Sequence, residues 1–310
     1  MTAFVLISLG VILLYTGGEV LVASVTRMAA AFRISPLVIG LTVVAFGTSS
    51  PEVAVAIGAG LEDKPAIALG NVIGSNIANL GLILGVSALI RAVDAHASFL
   101  RRDLPFLLAI TVFLLPAAWL GDLGIGLGVV LLVLLAGYLW VLLRQGGGLE
   151  LEEAEVEAHS VPGDRLAATI GVVVGIALLV YGADVLVDSA VTLARELGVA
   201  ERIIGLTLVA FGTSLPELAG CLAAARHGEG DIVIGNVVGS NIFNTLLVLP
   251  SAILIRPVIA TPANLVDIAV SLVFTGLTFV FFYRRGHLGA GGGGLLAAAY
   301  VGYVAFLFLG

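Results

Sequence analysis

The sequence predicts an all-α membrane protein with ten transmembrane helices, arranged as two inverted repeats of five helices. Three observations lead to this fold. The 310 residues are 60% hydrophobic and only 11% charged, which is too few charges to cover a water-soluble surface. Continuous apolar runs long enough to cross a bilayer recur along the chain. Two segments of the first half return almost unchanged in the second half.

The composition also excludes several classes of protein. A soluble enzyme does not fit the apolar content, and a single cysteine, Cys221, cannot form a disulfide scaffold. The net charge of −7 argues against nucleic acid, which attracts basic surfaces. The apolar runs are continuous rather than alternating, so the spans are expected to be helices and not strands of an outer-membrane barrel.

Ten apolar runs define the predicted spans. The first begins at Thr2 with no Lys or Arg ahead of it, so we interpret it as a retained span and not a signal peptide. A glycine-rich stretch at 286–294 is expected to be a loop between the last two spans. The predicted spans are 2–24, 36–60, 66–90, 100–120, 123–143, 166–190, 201–225, 231–255, 264–283 and 292–309.

The long polar segment between the fifth and sixth spans divides the chain into three parts. Residues 1–143 form the first five-helix repeat, 144–165 an acidic linker, and 166–310 the second, inverted repeat. The linker contains five glutamates, and we interpret it as a solvated connector, because its glutamates alone do not establish a cation-sensing role.

The basic residues predict the orientation in an inner cell membrane. If the N-terminus is outside, ten of the 14 Lys and Arg residues lie in cytoplasmic loops or at cytoplasmic span ends, and four lie on the other side. This distribution follows the positive-inside rule. Both termini are then outside and the acidic linker is cytoplasmic.

The internal duplication predicts the relation between the halves. Residues 40–52 read GLTVVAFGTSSPE and 205–217 read GLTLVAFGTSLPE; residues 70–79 read GNVIGSNIAN and 235–244 read GNVVGSNIFN. Both pairs are 165 residues apart. Because each copy has an odd number of spans, the second enters the membrane from the opposite face. Inverted repeats of this kind are typical of secondary transporters, with the substrate site near the membrane midplane between the copies.

Each repeat carries one glutamate near the middle of a span, Glu52 and Glu217. A charged side chain at this depth costs about 3 kcal/mol and usually marks an ion pathway. Thr48 and Thr213 each lie four residues before a glutamate, on the same helix face.

A proline precedes each glutamate and removes one backbone N–H, which frees the carbonyl of Gly47 or Gly212 a turn earlier. We therefore expect the Gly-Thr-Ser segments to open and turn carbonyl oxygens inward. Carboxylates, hydroxyls and carbonyls from two helices form an all-oxygen site suited to Ca²⁺ and Na⁺. The sequence has no His or Cys cluster for zinc or copper, and no cofactor is expected.

The second motif places a polar stripe on one helix face in each repeat. We predict that four of its side chains complete or orient the ion site, namely Ser75, Asn79, Ser240 and Asn244. Four further asparagines are expected to tie the helices together, namely Asn71, Asn76, Asn236 and Asn241. Gly70 with Gly74, and Gly235 with Gly239, are spaced to let a neighbouring helix approach closely.

These motifs resemble the two alpha repeats of the cation/Ca²⁺ exchanger superfamily, in particular the prokaryotic Na⁺/Ca²⁺ exchangers. The resemblance implies that Glu52 and Glu217 are the central ion-binding carboxylates, and that spans one and six slide across the other eight to give alternating access. It also implies the remaining ligands. These are Thr48, Ser49, Thr213 and Ser214, the backbone carbonyls of Ala45 and Ala210, and Ser75, Asn79, Ser240 and Asn244.

The chain departs from the family pattern at one ligand. Family members often have Asp at the position of Asn244, so this site has no third carboxyl. Members that exchange protons commonly carry an acid within the GN-containing motif, and neither GNVIGSN nor GNVVGSN contains one. This difference favours Na⁺ over H⁺ as the coupling ion and leaves K⁺ open.

The sequence therefore predicts a secondary antiporter that exchanges Ca²⁺ for Na⁺, with the lipid bilayer and these ions as its only expected partners. One Ca²⁺ or several Na⁺ would neutralise the two glutamates in turn. Exchange driven by H⁺ through the same glutamates is the alternative, and a passive cation channel is less favoured. An enzyme is not expected, since all four histidines lie outside the predicted spans.

Overall fold

The computed structural model of the chain describes residues 2–146, 164–198 and 210–309, and these form the predicted bundle of membrane helices. Eight of the described helices are long and apolar enough to cross a bilayer, and a bent helix pair makes a ninth. The predicted span at 201–225 is described only from residue 210 onward.

The helices follow the predicted order. The first repeat comprises α1 (Thr2–Phe32), α2a (Pro36–Thr48) with α2b (Ser50–Leu61), α3 (Pro65–Ile90), α4 (Phe99–Trp119) and α5 (Ile125–Gly146). The second comprises α6 (Asp164–Glu196), α7a (Ala210–Gly212) with α7b (Leu215–His227), α8 (Gly230–Ile253), α9 (Pro262–Arg285) and α10 (Ala290–Leu309). The repeat boundaries at 143 and 166 stay a prediction, and the glutamates of the acidic linker lie outside the described residues.

Two helix ends differ from the sequence prediction because packing continues beyond the apolar run. α1 extends to Phe32 and α6 to Glu196, whereas the hydrophobic runs suggested ends at 24 and 190. Val25 and Ala29 of α1 are buried, so the helix packs against other helices past the length that the bilayer requires.

The glycine-rich stretch at 286–294 is non-helical as far as Gly289 and helical from Ala290, so the predicted loop is correct for its first four residues and wrong for 290–294. α10 begins at Ala290 and includes four consecutive glycines. A Cβ atom added at Gly293 would lie only 2.6 Å from the carbonyl oxygen of Gly85 in α3. Glycine is therefore required for the close approach of α10 to α3, as is common between membrane helices.

In the described part of the chain, four two-residue strands join the loops and repeat the sequence offset. β1 (Val93–Asp94) pairs with β4 (His287–Leu288), and β2 (Asp122–Leu123) pairs with β3 (Val258–Ile259), both antiparallel. β3 follows β1 by 165 residues, and β4 follows β2 by the same number. We call the membrane face that carries β1 and β4 the linker face, because α5 ends and α6 begins there.

Glycines allow α1 and α6 to pack very closely along each other. A Cβ atom at Gly175 of α6 would lie 2.8 Å from the backbone of Leu21, and one at Gly10 of α1 would lie 2.9 Å from the carbonyl oxygen of Gly182. Gly10 and Gly175 are 165 residues apart, so both repeats supply the same contact. α1 and α6 therefore form a tightly packed antiparallel pair.

Replacing Gly175 by alanine should destabilise this pair. The added methyl group meets backbone atoms that cannot move aside, and overpacking of this kind costs about 1–3 kcal/mol. We expect a lower thermal unfolding midpoint for the purified protein in detergent. Gly137→Ala in α5 is the matched control, because a Cβ atom there meets no atom within 4 Å. Equal midpoints for the two variants would contradict the packing described.

Candidate functional site

The two glutamates lie at equivalent breaks in the helices of the second and seventh spans. The breaks occur at Ser49, with φ −81° and ψ 8°, and at Ser214, with φ −91° and ψ 5°. A proline follows two residues later in each copy and cannot donate a backbone hydrogen bond. The break bends α2a against α2b by 45°. Glu52 and Glu217 each occupy the first turn after it.

The two breaks meet in the centre of the protein. The side chains of Glu52 and Glu217 are each only 1% exposed, and they are close enough for their charges to interact. The hydroxyl of Ser49 donates a hydrogen bond of 3.2 Å to Oε1 of Glu217. Glu52 lies beside Thr213 and Ser214 of the other repeat. Each carboxyl group is therefore surrounded by hydroxyls from the opposite half.

The polar stripes of α3 and α8 line the same region. Ser75, Asn79, Ser240 and Asn244 are all buried, and the hydroxyls of Ser214 and Ser75 are 3.5 Å apart. Ser240 also lies beside Glu217. Each helix widens into one π-helical segment that starts at the asparagine, Asn79–Ile83 in α3 and Asn244–Val248 in α8. Such segments are frequent at functional sites.

Several buried oxygens at this site have no hydrogen-bond partner among the described residues. They are Oε2 of Glu52, Oε2 of Glu217, Oδ1 of Asn79, Oδ1 of Asn244 and Oγ1 of Thr213. Leaving such atoms unpaired is unfavourable, and native proteins satisfy nearly all of them. Carboxylate, amide and hydroxyl oxygens are the ligands that Ca²⁺ and Na⁺ take. The set therefore fits a transported cation, and we call it the oxygen cage.

Among the remaining predicted ligands, Thr48 and Ala45 already take part in hydrogen bonds within the protein. The Thr48 hydroxyl is 3.1 Å from both the carbonyl of Val44 and Oδ1 of Asn236. The carbonyl of Ala45 accepts the N–H of Ser49 at 3.0 Å, which leaves its second lone pair for a cation. Ala210 is the first described residue of α7a.

The carbonyl of Gly47 behaves differently from the sequence prediction. Pro51 frees it, as expected, but the hydroxyl of Ser50 donates to it at 2.8 Å on the exposed side of the helix. The second repeat has Leu215 at the position of Ser50, and leucine has no hydroxyl to donate. The freed carbonyl in the first repeat is therefore capped locally and does not turn into the oxygen cage.

The asparagines expected to tie the helices divide into two groups. Asn236 joins three helices, because it accepts from Thr48 and donates to Sγ of Cys221 at 3.4 Å. Asn76 and Asn241 hydrogen-bond across the α3–α8 contact. Asn71 does not tie helices in the described part of the chain, since its buried Nδ2 atom has no partner there.

The glycine spacing explains the close contact of α8 with α2a. A Cβ atom at Gly235 would lie 2.9 Å from Cα of Gly40, and one at Gly239 would lie 2.7 Å from Cβ of Ala45. Gly70 and Gly74 of α3 have no described atom within 4 Å of an added Cβ, and most of the chain equivalent to α2a, residues 201–209, lies outside the described residues. The predicted close approach is thus observed for α8.

An ion-pair cluster that the sequence analysis did not identify joins α1 to α7b near the linker face. The carboxylate of Glu19 lies 2.6 Å from Nε2 of His227 and 3.3 Å from the guanidinium of Arg226. At the equivalent positions, Asp184 of the second repeat has Leu61 and Glu62 of the first repeat in place of the basic pair. The cluster therefore has no counterpart on the opposite face, and a search for repeated residues could not find it.

The α1–α6 pair also packs unequally against the two halves. A Cβ atom at Gly18 of α1 would lie 3.0 Å from Cβ of Ala223 in α7b. At the position equivalent to Ala223, α2b has Gly58, and a Cβ atom there has no described neighbour within 4 Å. α1 therefore packs closely against α7b, which ends at the linker face. α2b ends at the opposite face and lacks the equivalent contact among the described residues.

Comparison with known proteins gives full-length similarities. The family model described as "Sodium/calcium exchanger protein" matches residues 2–144 and 167–309. "Inner membrane protein YrbG" of Escherichia coli (strain K12) is 36% identical over 319 residues, which cover 99% of this chain and 97% of the relative. "Sodium/calcium exchanger MaX1" of Methanosarcina acetivorans is 32% identical over 343 residues, with 98% of each chain covered.

The fold is also similar to that of a solved transporter. A structure of the sodium-calcium exchanger NCX_Mj, soaked with 2.5 mM Na⁺ and 0.1 mM Ca²⁺, superposes with a TM-score of 0.89. The two proteins are 33% identical, and the match covers 98% of each chain. This similarity extends over both repeats and confirms the predicted ten-helix inverted architecture.

Proposed function

Because the chain belongs to the sodium/calcium exchanger protein family, a family of multi-pass membrane antiporters, we propose that it exchanges Ca²⁺ for Na⁺ through the oxygen cage. The observation that carries this proposal is the meeting of Glu52 and Glu217, one from each inverted repeat, in a buried site with unpaired oxygens. The similarity to the sodium/calcium exchanger MaX1 and to the sodium-calcium exchanger NCX_Mj adds support for the two ions.

The negative charge of the two glutamates explains why transport of the two ions would be coupled. Two buried carboxylates repel each other, and each is costly to remove from water. One Ca²⁺ neutralises both, and Na⁺ ions bound to some of the same oxygens do so as well. If the cage can switch its opening from one membrane face to the other only when its charge is neutralised, transport of one ion must be followed by transport of the other ion in the opposite direction. The two ions are then coupled by competition for shared ligands.

The ligand set supports Na⁺ rather than H⁺ as the coupling ion. The amide oxygens of Asn79 and Asn244 are buried and unpaired among the described residues, and an amide oxygen is a cation ligand but not a useful proton acceptor at neutral pH. Proton coupling would leave these oxygens without a role. We therefore propose Na⁺-driven exchange.

Alternating access is proposed to arise from displacement of the tightly packed α1–α6 pair across the other helices. Two features support this: the unequal packing of Gly18 and Gly58, and the Glu19 cluster that has no counterpart. In the conformation described, α1 closes the side that leads to the linker face. We propose that the linker face is cytoplasmic, in an inner membrane, so that this conformation receives ions from outside.

Neutralising either glutamate should abolish exchange. In vesicles reconstituted with the wild type, we expect Ca²⁺ uptake to rise when Na⁺ is loaded inside and diluted outside. Glu52→Gln and Glu217→Gln keep the side-chain size but remove the charge that binds Ca²⁺, so uptake should fall to background. Glu62→Gln, an exposed glutamate of the α2–α3 loop, is the control and should retain uptake.

Two results would contradict the proposal. Wild-type uptake that follows an imposed pH gradient and ignores the Na⁺ gradient would reject Na⁺ coupling. Normal exchange by both glutamine variants would reject the oxygen cage as the site.

Removing an amide ligand should weaken exchange without abolishing it. Asn79→Ala or Asn244→Ala deletes one neutral oxygen, and one hydrogen bond or ligand of this kind contributes about 1 kcal/mol. We expect the Ca²⁺ concentration for half-maximal uptake to rise roughly fivefold, with a detectable maximal rate. Loss as complete as that of the glutamine variants would mean that the amides do more than provide one oxygen each.

Breaking the Glu19 cluster should favour opening toward the linker face. Ion pairs that are partly exposed contribute less than about 1 kcal/mol, so Glu19→Gln should shift the conformational equilibrium roughly two- to fivefold. The apparent Ca²⁺ affinity should then rise at the linker face and fall at the opposite face, measured in sealed vesicles of each orientation. Asp184→Asn is the matched control, and equal effects of the two variants would contradict this role.

A further inference from the structure

Four asparagines at the contact of α3 with α8 form two chains of hydrogen bonds. Asn244 donates to Oδ1 of Asn76 at 3.2 Å, and Asn76 donates to Oγ1 of Thr245 at 3.1 Å. Asn79 donates to Oδ1 of Asn241 at 2.9 Å, and Asn241 donates to the backbone carbonyl of Asn76 at 3.2 Å. Every member is 5% exposed or less.

The chemistry of the groups fixes the direction of the first chain. The hydroxyl of Thr245 has a single hydrogen, which it donates at 3.0 Å to the backbone carbonyl of Asn241. Its oxygen can therefore only accept from Asn76, which must turn its NH₂ group toward it. Oδ1 of Asn76 then faces Asn244, so Asn244 must donate a hydrogen bond to it from its own NH₂ group. Oδ1 of Asn244 is left as the free end.

The direction of the second chain is fixed in the same way, but this chain has one hydrogen bond fewer. The backbone carbonyl of Asn76 has no hydrogen to donate, so the group of Asn241 that meets it must be NH₂. Oδ1 of Asn241 then faces Asn79, which must donate its NH₂ group. Oδ1 of Asn79 is again the free end, and both free ends are among the unpaired oxygens of the oxygen cage.

We propose that Asn76, Asn241 and Thr245 are positioning residues that hold the amides of Asn79 and Asn244 with their oxygens toward the transported cation. This inference rests on the proposed function, in which these two oxygens bind the ion. An amide that turned over would present NH₂ to the cation and repel it. Each chain crosses from one helix to the other and back before it ends on a backbone carbonyl, so the relative position of α3 and α8 sets both orientations.

Thr245 is the residue at which the two chains differ. The equivalent position in the first repeat is Leu80, which cannot relay a hydrogen bond. The first chain therefore depends on the Thr245 hydroxyl, whereas the second reaches a carbonyl directly. Changing Thr245 should release Asn244 while leaving Asn79 in place, and Thr245 itself touches none of the cage oxygens through a hydrogen bond in the described part of the chain.

The test compares three variants in cation titrations of the purified protein. Thr245→Val removes the hydroxyl at constant size, Thr245→Ser retains it, and Thr275→Val is the matched control. Thr275 is equally buried, at 1% exposure, and its hydroxyl likewise donates to the carbonyl four residues earlier, but it forms no hydrogen bond with an asparagine amide of the described residues. The rise in unfolding temperature with added CaCl₂, and separately with NaCl, gives the half-saturating concentration of each ion.

We expect Thr245→Val to raise the half-saturating Ca²⁺ concentration roughly three- to tenfold, the effect of one misoriented ligand. Thr245→Ser and Thr275→Val should match the wild type. In an Asn244→Ala background, Thr245→Val should have no further effect, because the amide that it orients is gone. A merely structural threonine would instead lower the unfolding temperature without the ions and leave the half-saturating concentrations unchanged.

The outcomes separate this inference from the proposed function. Equal half-saturating concentrations for Thr245→Val and Thr275→Val would overturn the positioning role while Na⁺-driven uptake by the wild type still stands. A further loss in the Asn244→Ala background would also overturn it. A wild type that neither ion stabilises would overturn it together with the oxygen cage.

Discussion

The burial of two carboxyl groups in a low-dielectric interior is the constraint on which the structure depends. Glu52 and Glu217 are almost fully covered, and no basic side chain hydrogen-bonds to them in the described part of the chain. In the proposed function, their charge is balanced by a cation that binds and leaves. The helix breaks, the serine hydroxyls and the amide chains would then keep oxygens near this charge without cancelling it. A fixed lysine or arginine would stabilise the site and remove its need for a cation.

Much of this arrangement could be predicted from the sequence because the same motifs occur in both repeats. The offset of 165 residues identified Glu52 with Glu217 and the stripe of Asn79 with that of Asn244, and inversion followed from the odd number of spans. Burial, the meeting of the two breaks at Ser49 and the unpaired oxygens agree with that prediction. The ligand roles themselves stay a prediction.

What the sequence could not predict lies where the repeats differ. Thr245 aligns with Leu80, and Arg226 and His227 align with Leu61 and Glu62, so a search for repeated residues passes over them. Their roles depend on which side chains meet across helices. The end of α1 and the glycines of α10 were mispredicted for a related reason: hydropathy measures the preference for lipid, whereas close helix packing decides where a helix continues.

The short strands have a mechanical consequence. They join the loops that flank α4 with those that flank α9, once on each membrane face, and none of their backbone bonds involves α1 or α6. A shift of that helix pair therefore stretches no strand pairing. In the proposed displacement of α1 and α6, the strand pairs therefore keep the loops of the two halves joined at both surfaces, and the dimensions of the oxygen cage are preserved while the helix pair moves.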